Sequence, residues 1–120
     1  MEAFEKRAAM EPNNPEAWHT MGPYYSEKAM KDSKLSKDVA KKYVMRGLEV
    51  EDQALKLNEE YYEALAFKNI LIRQQVLYEK DPAVQKQLLS QADAIKAKAV
   101  ELQKKQTADA AAGAKKKGKD

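Results

Sequence analysis

No cysteine occurs among the 120 residues of the chain. Disulfides, zinc–thiolate centres and cysteine nucleophiles are therefore excluded. Histidine occurs once, as His19. A lone imidazole with no carboxylate pair at ligand spacing makes a poor metal site, and general-base work needs a positioned partner. Neither a Gly-rich phosphate loop nor a Ser/His/Asp order is present. These absences point to a non-catalytic chain with no cofactor and no metal. Apolar runs stay well short of the roughly 18 residues a membrane helix needs, so no membrane span is expected. The opening MEAFEKRAAM is charged and lacks a long apolar centre, unlike a secretory signal. The cytoplasm is the default compartment, with the exterior expected for a filament subunit. Glycine and proline number only 4 each, against 43% hydrophobic and 34% charged residues. That mix describes one all-α domain.

Charge is unevenly placed. Residues 1–60 carry 10 basic and 12 acidic side chains, a net of −2; residues 61–114 carry 8 and 6, a net of +2. Residues 115–120 carry 4 and 1, which supplies the whole excess of +3. The body is neutral, so the basic balance is not a nucleic-acid-binding surface. Lys115 to Lys119 read as a solubilising tail. The acidic clusters Glu49, Glu51, Asp52 and Glu59, Glu60 read as solvated helix faces. So does the run Lys28, Lys31, Lys34, Lys37, Lys41, Lys42 and Arg46, although a partner with acidic side chains would also fit it.

The most informative stretch is Glu11 to Tyr25, EPNNPEAWHTMGPYY. Pro12 stops any helix arriving from residues 2–10. Asn14 is a good N-cap, Pro15 suits the first helical position, and Glu16 complements the helix dipole. Trp18, Met21, Gly22 and Tyr25 then fall at i, i+3, i+4 and i+7, one helical face. Gly22 lets a neighbour approach the backbone, and the aromatic rings fill the space beside it. His19 follows Trp18 and so is expected to point away from this face, to solvent or a groove. A helix over 15–31 should kink near Gly22–Pro23. Ser36 can cap a helix over 37–58, whose apolar face holds Ala40, Tyr43, Val44, Gly47, Leu48, Ala54 and Leu55. A helix over 60–79 is apolar on two sides and should be sandwiched. Asp81 can cap a helix over 83–106 with one stripe: Val84, Leu88, Ala92, Ile95, Ala99 and Leu102. Residues 107–120, TADAAAGAKKKGKD, are low in complexity and read as a disordered tail.

The Trp18–Met21–Gly22–Tyr25 pattern resembles the W-x2-L-G-x2-Y signature of the tetratricopeptide repeat (TPR), with Met for Leu. Ala54 to Tyr61, ALKLNEEY, resembles the A-L-x-L-N-P-x-Y close of such a repeat, with Glu59 in the proline's place. Pro23 and Arg7 depart from the family pattern. Trp18 and Leu65, corresponding places in two A helices, are 47 residues apart, against a usual period of about 34. The hairpins are thus elongated, and the chain is similar to a long-hairpin bacterial branch of the family.

The resemblance implies a solenoid segment over residues 1–106, in the helix order B-A-B-A-B. It also implies a protein or peptide partner in a groove lined by Glu16, His19, Ser26, Glu27, Glu63, Ala66, Ile70, Arg73 and Gln74. A second expectation comes from the ends. Solenoid ends normally carry polar caps, yet this chain starts with an orphan B-type helix at Phe4 and closes with the Val84, Leu88, Ile95, Leu102 stripe. Two explanations fit: a piece of a longer solenoid cut in mid-repeat, or head-to-tail contact between those ends, which would build a homo-oligomer, ring or filament.

Overall fold

Helix is the only regular structure in the computed structural model, which describes residues 2–118 of the chain and the side chains of residues 3–110. The elements are α1 (Glu2–Met10), α2 (Pro15–His19), α3 (Met21–Lys31), α4 (Lys37–Leu57), α5 (Tyr62–Val76) and α6 (Pro82–Gly118). The caps foreseen from sequence form. Asn14 accepts from the Glu16 amide at 3.0 Å, Ser36 Oγ from Val39 at 3.3 Å, and Asp81 from Ala83 at 3.0 Å.

α2 and α3 are one helix bent at Thr20, a turn earlier than the expected kink. Pro23 has no N–H for the carbonyl of His19, and its ring crowds that carbonyl. The defect therefore lands four residues upstream of the proline. Thr20 keeps helical dihedrals (φ −55°, ψ −28°). Its hydroxyl donates to the Glu16 carbonyl at 2.7 Å, which keeps the bend tight.

Each of the longer helices packs on the next, and α3 also reaches α5. Cross-links give the directions. Asp52 meets Lys68 while Gly47 lies by Leu71, and Arg73 meets Asp93 while Glu60 meets Gln106, so α5 runs antiparallel to both α4 and α6. Ser26 bonds Gln74, 48 positions away, while the His19 ring meets Phe67, so α3 and α5 run parallel. One core cluster joins Val44, Leu48, Leu71, Ile72 and Ala92; the other joins Ala8, Ala17, Met21, Tyr25 and Val50.

Two expectations about the ends change. Phe4, thought to be an open end, is half-buried against Tyr24 (6.1 Å between ring centroids). Leu88 and Ile95 pack on the chain's own core, and Val84 and Leu102 are likewise half-buried. The second change concerns the segment from 107, which continues α6 as helix up to Gly118. Its alanines carry the highest helix propensity, and lysines suit a helix C-terminus. Low complexity argued for disorder because the segment has little to bury, but a helix already nucleated by packing propagates without burial. Among the described side chains the last anchor onto the body is Gln106, whose amide donates to the Glu60 carbonyl at 2.9 Å; residues 107–110 are exposed. Lys119 and Asp120 lie outside the described residues.

Leu71 is fully buried between α4 and α5, and a Cβ on Gly47 would stand 2.8 Å from its Cδ2. Leu71→Ala should cost about 2–5 kcal/mol. Leu89→Ala, on the outer side of α6, should cost about 0.5 kcal/mol or less. Urea denaturation of both variants checks this; equal losses would contradict the packing described.

Candidate functional site

The parallel run of α3 and α5 leaves a shallow open groove of about 610 Å³ between them. Five of the nine residues proposed for a groove line it: Ser26, Glu27, Ile70, Arg73 and Gln74. Ser26 and Gln74 form its floor and bond each other. The Ser26 hydroxyl donates to Gln74 Oε1 at 2.8 Å, and Gln74 Nε2 donates to the Ser26 carbonyl at 3.1 Å. Both side chains are buried, and their polar groups are turned to each other. The walls are apolar. Met30 is 58% exposed, Ile70 41% and Leu77 67%, with Pro23 and Phe67 at the other end. The rim charges are already paired, Lys31 with Glu27 at 2.6 Å and Arg73 with Asp93 at 2.6 Å. Met30, Phe67 and Leu77 were not expected in the groove from sequence. Met30 lies four residues after Ser26, and Leu77 four after Arg73, so both continue the groove face by helical spacing.

The remaining four are elsewhere. Glu16 is exposed, 3.6 Å from Arg7. Glu63 is exposed and Ala66 half-buried, and neither lines the groove. His19 departs most from expectation. It is turned inward, and its Nδ1 lies 2.8 Å from both carboxylate oxygens of Glu51. Tyr61 and Phe67 flank the imidazole at 5.1 and 5.8 Å between centroids.

Glu51, expected on a solvated face, is fully buried. Burial pushes its carboxyl up to about 7 from an ordinary 4.5; the His19 hydrogen bond and charge pull the other way, and Asp52 adds to the rise. The position was legible: Gly47, Leu48, Glu51, Ala54 and Leu55 share one helical face. Residue type, a carboxylate among carboxylates, argued for solvent and prevailed in the sequence reading. Of the packing motif, Met21, Gly22 and Tyr25 are buried. Trp18 is only half-buried, its indole donating to the Pro12 carbonyl at 2.9 Å, while Ala17 takes the fully buried place.

Among the described residues no three His, Cys, Asp or Glu side chains are grouped to hold a metal ion, and no helix is long and apolar enough to cross a membrane. Comparison with protein-family models, curated proteins and solved structures finds no match. The groove and the buried pair therefore stand on their own geometry. The groove can bury apolar side chains but presents no unpaired catalytic group. The pair can hold or release a proton but lies under the surface.

Gly22 is where that pair meets the backbone. A Cβ there would stand 2.6 Å from Glu51 Cδ and 2.9 Å from its Cγ. Gly22→Ala should destabilise by about 1–3 kcal/mol, the usual cost of overpacking. In a Glu51→Ala background the same change should cost markedly less, because the clash is gone. Denaturation of the two singles and the double checks this, and strict additivity would contradict it.

Proposed function

We propose that the chain is a non-catalytic, TPR-like interaction module that takes an apolar segment of a protein partner in the groove between α3 and α5. The observation that carries this reading is the convergence of Met30, Ile70 and Leu77, three of the most exposed large apolar side chains, on one groove. Scattered exposed apolar residues need no explanation, but a contiguous patch with a charged rim marks a contact surface. The floor is satisfied internally, so affinity has to come from burying side chains, and the paired rim charges set the boundary.

A second reading is head-to-tail assembly of copies into a filament or tube. It is favoured by the outer face of α6, where Leu89 and Val100 are about two-fifths exposed. Under this reading the contact uses that outer face, since the Val84–Leu102 stripe is occupied by the chain's own core.

A display selection of random peptides against the purified chain tests the first reading. Enriched peptides should carry two or more large apolar residues. Ile70→Asp should weaken them about tenfold or more, with the melting temperature nearly unchanged. Affinity untouched by Ile70→Asp would overturn it. A chain that sediments as a monomer at high concentration would remove the second reading and leave the first.

A further inference from the structure

One buried ionisable group takes no part in the groove. Glu51 is fully buried, and its polar partner is His19 Nδ1, 2.8 Å from both oxygens. From α3 it meets Gly22, which has no side chain. On its own helix the neighbouring charge is Asp52, engaged by Lys68 of α5 at 2.6 Å. Ahead of α5 stands Tyr61, with Glu16, Glu63 and Arg7 further out around it. Among the described residues no lysine or arginine pairs with Glu51.

We propose that His19 and Glu51 form a proton-operated latch: with a proton on the carboxyl, α2 is locked onto α4 and α5, and loss of that proton releases α2.

The physical basis is the cost of a buried anion. An ionised carboxylate away from water is tolerated only with strong compensation, and a single imidazole is all that reaches this one. Burial holds the carboxyl near 7, above its ordinary 4.5. The folded chain therefore keeps a proton that the unfolded chain gives up. This contribution is fully present below about 4.5 and is lost as pH rises through about 7. The composition isolates the pair. With no second histidine and no cysteine, no side chain of ordinary pKa outside the pair titrates between about pH 5 and pH 8. Mechanically, α2 is five residues long and its regular helix is interrupted at Thr20, before α3 begins. His19 also touches Phe67, which lines the groove. Release would reshape that end of the groove, a consequence that rests on the groove's being a binding site.

Amide hydrogen exchange of the whole chain from about pH 5 to pH 8 tests the latch without any ligand, so its result is independent of the groove reading. Rates are corrected for base catalysis. The amides of Ala17 and Thr20, bonded to Asn14 and Glu16, report on α2. Their opening constants should rise as the carboxyl ionises, at most about tenfold per pH unit, while amides in the middle of α6 stay level. Glu51→Gln keeps the shape and removes the charge, and should flatten the rise. Level opening constants at Ala17 and Thr20, an equal rise along α6, or an unchanged rise in Glu51→Gln would each overturn the latch. If Glu51→Gln does not fold, the contrast between α2 and α6 in the wild-type chain decides.

Discussion

Three helices meet where one carboxylate is kept from water. Glu51 is fully buried, and the surrounding elements are built to admit it. Gly22 lacks the Cβ that would stand 2.6 Å from the carboxyl carbon. His19 supplies the partner, and it is turned inward on a helix that Pro23 bends at Thr20. Tyr61 and Phe67 close over the imidazole. Each of these residues has a local reason of its own, but their conjunction has one: a buried ionisable group needs a partner, a space and a dry wall. The glycine first read as a site of helix–helix approach is better described as a seat for a side chain.

The groove follows from the same geometry. The packing that buries Glu51 sets the first kinked helix on α4, and α4 in turn positions α5. α3 and α5 then run parallel, offset by 48 residues, with Ser26 and Gln74 tied across the gap. The polar groups that could have served recognition or chemistry are used in that tie. What remains open to a partner is apolar: Met30, Ile70 and Leu77.

Much of the fold was legible because local rules and burial agreed. Asn14, Ser36 and Asp81 cap the helices that their positions promised. The apolar stripes of α4 and α6 face the core along most of their length. The reading failed where residue type and position disagreed. Glu51 sits at a position that buries, but its type argued for water; His19 follows Trp18 and was placed away from the packed face, yet its ring turns onto Glu51. The bend lies at Thr20 because a proline disturbs the carbonyl four residues before it. α6 runs past residue 106 because alanine sustains a helix that has nothing to bury. Half of the groove was found by carrying a pattern over, and its most exposed walls, Met30 and Leu77, by the structure alone.

The central claim is that a carboxyl of this chain stays protonated into the neutral range because it is dry. Carbon-13 NMR of the Glu51 side-chain carboxyl across a pH titration measures this directly, with Glu51→Gln used to assign the signal. The account predicts a midpoint near 7, well above the ordinary 4.5. A midpoint near 4.5 would mean that water reaches Glu51, and would contradict the account.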